Sequence, residues 1–125
     1  MPSFKTSWQS GQSYCKSKHG DLASFANKAE QDAATRYSYA STFWIGLTDS
    51  RQEGRWEWSD SSTVTWTNWA SREPNGRQSE NCGYVIQRDG KWNDIRCDYN
   101  LNFMCKIPRK YIILHICTVL AMPSN

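Results

Sequence analysis

No stretch of this chain is long and apolar enough to cross a bilayer as a helix. The longest apolar run, residues 111–122, has 12 residues, against the ~20 a spanning helix needs. The first sixteen residues are polar and lack the ~7–15-residue apolar core of a secretory leader. Histidine is scarce, with His19 and His115 only, and no C-x-x-C occurs, which argues against a zinc site. Neither H-E-x-x-H nor G-x-S-x-G is present, so no hydrolase motif supports an enzyme. Charge bias is small: 15 basic less 12 acidic side chains gives +3, too little to call for a nucleic-acid partner. Seven Gly and four Pro exclude collagen-like and low-complexity chains.

Aromatic side chains are plentiful. Seven Trp, six Tyr and four Phe in 125 residues can fill the core of one domain, so a disordered chain is excluded. Residues 7–18 place Trp8, Gln12 and Cys15 on one helical face, with Ser7 as N-cap and Gly20 as stop. Residues 27–39 open with Asn27 and Glu30 at capping-box spacing, and Ala29, Ala33 and Tyr37 follow at helical spacing. Then the period changes. Residues 43–47 read as a buried strand, and residues 56–58 and 64–66 alternate. Residues 67–81 form a polar stretch without periodicity, long enough to be functional. Residues 83–87 and 91–92 read as a hairpin around Asp89-Gly90, and residues 102–106 as a last strand. The expected fold class is α+β, two short helices followed by mostly antiparallel strands.

The cysteines are Cys15, Cys82, Cys97, Cys105 and Cys117. The first four allow three pairings. Cys82 and Cys97 flank the hairpin, so a staple between its outer ends is natural. That leaves Cys15 on the first helix for Cys105 on the last strand, with Cys117 unpaired. Paired cysteines point to an oxidising, extracellular setting, despite the missing leader.

The motifs resemble the C-type lectin-like domain. The matching pieces are Tyr14-Cys15, Gly20-Asp21-Leu22-Ala23-Ser24, Trp44-Ile45-Gly46-Leu47, Gln52-Glu53-Gly54 and Trp56-Glu57-Trp58. Glu73-Pro74-Asn75, Glu80-Asn81-Cys82, Trp92-Asn93-Asp94-Ile95-Arg96-Cys97 and Phe103-Met104-Cys105 continue them in the family's order. The resemblance covers about residues 4–107. It implies a domain over residues 1–107 with a trimmed first strand, and an apolar tail over residues 108–125 outside the core.

Glu73, Asn75, Glu80, Asn93 and Asp94 offer only hard oxygen ligands, which suit Ca²⁺. The resemblance makes them the principal calcium ligands and the sugar contacts, and matches Pro74 to a proline preceded by a cis bond. It also makes Asp49, Glu53 and Asn81 candidates for an auxiliary calcium site, weakened by Gly76 where an acid or amide is usual. Trp92 reads as core beneath the site. The function implied is reversible, calcium-dependent binding of mannose, N-acetylglucosamine or fucose-type sugars, with several copies for avidity. No catalytic residue and no nucleic-acid partner are expected. A membrane would be met only through a parent receptor or an anchor outside this chain. The alternatives are a calcium-independent module that binds protein, or one module of a tandem recognition receptor.

Overall fold

The computed structural model describes residues 2, 4–36, 38, 41–76, 79–111 and 120–122, the last three by backbone alone. Helix α1 (Trp8–Ser17) begins as expected: the Ser7 hydroxyl accepts from Ser10 N at 3.3 Å, satisfying a donor that a helix start leaves open. The helix buries Trp8, Gly11 and Cys15. Gln12 ties it to strand β1 (Asp21–Leu22): Nε2 donates to Asp21 Oδ1 at 2.7 Å and Oε1 accepts from Leu22 N at 2.9 Å. The stop falls one residue before the expected Gly20. His19 adopts the left-handed conformation, φ 69°, and the N–H of Gly20 closes on Cys15 O at 2.8 Å. Gly20 is needed for another reason. A Cβ there would collide with Lys106 O and Ile107 Cγ1, so its absence lets the chain pass close to the last strand.

Helix α2 (Lys28–Thr35) opens on Asn27, whose Oδ1 accepts from Glu30 N at 2.9 Å. Glu30 Oε1 reaches back to Ala26 N, one residue earlier than a standard capping box. The helix ends at Thr35, short of the expected residue 39; Tyr37 and Tyr39 lie outside the described residues. Its buried residues are Gln31 and Ala34, not Ala29 and Ala33. The reason is polar. Gln31 Oε1 accepts from Trp92 Nε1 at 2.7 Å, and Nε2 donates to Gly90 O at 2.6 Å. A buried indole N–H needs such a partner, while alanine methyls offer little apolar area. Gln31→Leu is therefore expected to cost about 2 kcal/mol or more by stranding these groups. Urea unfolding checks this, with exposed Ala29→Ser expected to change little.

Two sheets follow. In the smaller, β1 pairs antiparallel with β7 (Cys105–Pro108), and β8 (Leu120–Met122) adds parallel to β7. Thus β7 runs one residue past the expected boundary, and the tail touches this sheet by backbone pairing. His115 and Cys117 lie outside the described residues. The larger sheet runs β3 (Glu57–Trp58), β2 (Phe43–Thr48), β4 (Cys82–Val85) and β5 (Trp92–Ile95). Short β6 (Asn102–Phe103) pairs parallel with β2. The single last strand expected over residues 102–106 is divided at Met104, which bridges the sheets: its N–H donates to Trp44 O and its carbonyl accepts from Ala23 N. Residues 64–66 form no strand. Val64 and Trp66 pack on the core, and Thr65 Oγ1 donates to Ala26 O at 3.1 Å, without a ladder partner among the described residues.

The bonded cysteines are Cys15–Cys105, joining α1 to β7, and Cys82–Cys97, across the base of the β4–β5 hairpin. Trp92 is fully buried. Trp58, Trp66 and Trp69 meet it edge-on, with ring centres 5.4–5.7 Å away, the arrangement aromatic quadrupoles favour.

Candidate functional site

The hairpin and the irregular loop before it bring the five principal residues together. Asn93 and Asp94 sit on β5, opposite Tyr84 and Gly83 of β4. Glu80 precedes β4, and Glu73 and Asn75 flank Pro74 across a cis peptide bond. Asp94 ties loop to strand: Oδ1 accepts from Asn75 N at 3.0 Å and Oδ2 from Gly76 N at 2.9 Å. Asn75 Nδ2 donates to Glu73 Oε2 at 2.8 Å. Gly76 cradles Glu80: a Cβ at residue 76 would overlap the Glu80 side chain.

The Asn93 amide lies between Glu73 and Tyr84: its NH₂ donates to the Glu73 carboxylate and its carbonyl accepts from the Tyr84 hydroxyl at 3.0 Å. The Glu73 carboxyl is pushed up to about 7, first by burial, then by its hydrogen bond with Asp94 and the charges of Asp94 and Glu80. Glu80 is also raised, by burial and then by Asp94. Among the described residues no Lys or Arg forms an ion pair with these three carboxylates. Nor do three or more His, Cys, Asp or Glu side chains gather there as a metal cluster of their own. A shell at this place needs the amide oxygens of Asn75 and Asn93.

The auxiliary set lies alongside. Asp49 is 2% exposed; its Oδ2 accepts from Gly54 N at 2.9 Å, and its Oδ1 is buried without a hydrogen bond. Its backbone N–H donates to Asn81 O at 3.1 Å, so Asp49 and Asn81 are neighbours. Glu53 lines one cleft with Asn75 and Asp94, between Trp56, Trp69 and Pro74.

Three contributors had no assigned role in the sequence. Tyr84 was legible in principle, because the register around Asp89-Gly90 sets it opposite Asn93. Gly76 and Gln31 carry no local signal, since their partners are distant in sequence.

A family model described as the lectin C-type domain matches residues 4–107. The hepatic lectin of Gallus gallus is 35% identical over 107 residues, covering 83% of this chain and 51% of that one. The alpha-N-acetylgalactosamine-specific lectin of Patiria pectinifera is 35% identical over 97 residues, covering 70% and 58%. The chain thus spans about half the length of these relatives. Among solved structures, the cow CD23 carbohydrate-recognition domain, crystallised in the presence of a GlcNAc2Man3 oligosaccharide, is 35% identical. Its TM-score is 0.74, covering 79% of this chain and 77% of that one. A calcium-independent type II antifreeze protein is 26% identical with TM-score 0.75, covering 80% and 77%. Such relatives belong to a non-enzymatic family. With its α+β fold, its two disulfides and this match across residues 4–107, the chain belongs to the C-type lectin family.

Proposed function

We propose that this domain binds calcium and, through it, sugars of the mannose, N-acetylglucosamine or fucose type. The observation that carries the reading is the gathering of the Glu73, Glu80 and Asp94 carboxylates with the Asn75 and Asn93 amides, where among the described residues no Lys or Arg pairs with the acids. A set of carboxylate and amide oxygens fits a hard divalent ion. Glu73, Asn75, Glu80, Asn93 and Asp94 would hold it. Bound there, calcium would supply the charge that coordinates two vicinal sugar hydroxyls. The carboxylates of Glu73 and Glu80 would accept from those hydroxyls, and the amides of Asn75 and Asn93 would donate to them. The buried, unbonded Asp49 Oδ1 supports an auxiliary ion held by Asp49, Glu53 and Asn81. The binding unit is residues 1–107 of an extracellular protein, and several copies would supply avidity.

A neighbour described as calcium-independent has the same fold, so the fold alone does not decide for calcium, and the oxygen donor set is what supports it here. A relative specific for alpha-N-acetylgalactosamine makes the sugar class a matter for experiment. The protein is expected to stay on mannose-agarose in calcium and to leave it in EDTA. Retention in EDTA, or none in calcium, overturns the reading. Exchanging donors and acceptors with Glu73→Gln and Asn75→Asp keeps charge and ligand count. It is expected to weaken mannose competition about tenfold, one charged hydrogen bond being worth ~1.5–3 kcal/mol.

Acid should act in opposite directions with and without calcium. Glu73 titrates near 7 in the folded, metal-free chain, above its ordinary 4.5, so the folded state holds that proton more tightly. The contribution is fully present below 4.5 and is lost as pH rises through about 7; Glu80 acts in the same direction. The Tm of the metal-free protein is therefore expected to gain from these groups between pH 7.5 and 5.5. In calcium it should fall, because protons compete for the ligands. Differential scanning calorimetry with calcium and with EDTA reads both signs, and equal slopes would count against the site.

A further inference from the structure

The end of the domain formed by α1 and β7 carries a cationic cluster that sugar binding does not use. Lys16 and Lys18 close α1, and His19 follows. The short 3-10 turn Arg109–Tyr111 leaves β7. These segments touch: the His19 and Tyr111 rings stack with centres 4.1 Å apart and planes at 22°. Lys110 Nζ lies 5.2 Å from the centre of the Tyr111 ring, and Lys18 Nζ 5.6 Å from that of Tyr14. Lys16, His19, Arg109, Lys110 and Tyr111 are exposed. Among the described residues one carboxylate pairs with these cations: Asp21, which lies 3.1 Å from Lys16 and also accepts from Gln12 Nε2.

Lys16, Lys18, Arg109 and Lys110 less Asp21 leave +3, which equals the net charge of the whole chain, 15 − 12. The remaining eleven cations and eleven anions cancel. Four cations and one anion thus meet where two segments are clamped by an aromatic stack, while Glu73, Glu80 and Asp94 lie on the loop and strand of the other sheet. We propose that this face is a second, calcium-independent surface for sulfated polysaccharide. Closely set Lys and Arg side chains suit repeated sulfate groups, with the guanidinium able to bind two oxygens at once. The chemistry would also suit anionic lipid. Two disulfides place the chain in an oxidising compartment, whereas anionic lipid is characteristic of the cytoplasmic leaflet, so polysaccharide is the partner favoured.

Heparin-agarose in EDTA tests this with the calcium site silent. The wild type is expected to be retained at low salt and to elute with affinity falling steeply as salt rises. Lys18→Glu with Lys110→Glu removes, among the described residues, two ring contacts and is expected to weaken retention at least about tenfold. Arg36→Glu with Arg88→Glu makes the same charge change on exposed residues elsewhere and is expected to weaken it much less. Equal loss in both pairs, no retention of the wild type, or binding to phosphatidylserine vesicles but not to heparin would each overturn the proposal.

Discussion

Asp94→Asn is expected to lower calcium affinity by about a hundredfold or more and to remove sugar retention with it. Asp94 is 4% exposed, and each of its oxygens accepts one loop N–H. An amide offers one acceptor and one donor, so either Asn75 N or Gly76 N would face an NH₂ group. Losing a charge-assisted hydrogen bond costs ~1.5–3 kcal/mol, and the shell loses a negative ligand of comparable weight. Together these exceed the ~2.7 kcal/mol of a hundredfold change. A second readout needs no metal. Asp94 helps hold the Glu73 carboxyl up at about 7, through a hydrogen bond and through its charge. In the variant the Glu73 titration, followed by carboxyl ¹³C shifts in EDTA, should fall toward the ordinary range. An unmoved Glu73 and a calcium affinity changed less than tenfold would remove Asp94 from the site.

Cys15→Ala with Cys105→Ala is expected to be the most destabilising change in the chain. The bond closes a separation of 90 residues, against 15 for Cys82–Cys97. In the chain-entropy view the first contributes ~4.6 kcal/mol and the second ~3. The first is a large part of the ~5–15 kcal/mol that holds a domain folded. Both of its sulfurs belong to fully buried residues, so the double alanine also leaves unfilled volume. Guanidinium unfolding followed by tryptophan fluorescence would read the loss. Cys82→Ala with Cys97→Ala should cost less stability but more calcium affinity, because that bond closes the hairpin carrying Asn93 and Asp94. The opposite ranking would mean that the short staple, not the long one, holds the domain together.

The parts of this fold legible in the sequence are those with local chemical signals. Ser7 and Asn27 mark helix starts because their side chains satisfy open N–H groups nearby. Asp89-Gly90 marks the hairpin, with Gly90 at φ 74°. Long-range polar contacts left no such mark. Gln31 turns α2 by bonding to residues about sixty positions away, so helical spacing alone favoured the wrong face. Alternation over residues 64–66 suggested a strand, yet burial of Val64 and Trp66 is met by packing on the core without a ladder. Met104 divides the last strand because its backbone serves both sheets, a demand set by topology. In the site, the oxygen-rich residue types were legible. Their support from Tyr84 and the cradle at Gly76 depend on the folded loop.

The most direct test follows the side-chain amide NMR signals of Asn75 and Asn93 while methyl mannoside is added, first in EDTA and then in calcium. Both signals should shift when calcium is added. They should shift again with mannoside in calcium, and stay still with mannoside in EDTA. Mannoside shifts in EDTA, or calcium-dependent shifts that leave Asn75 and Asn93 untouched, would contradict a sugar site bridged by calcium at these residues.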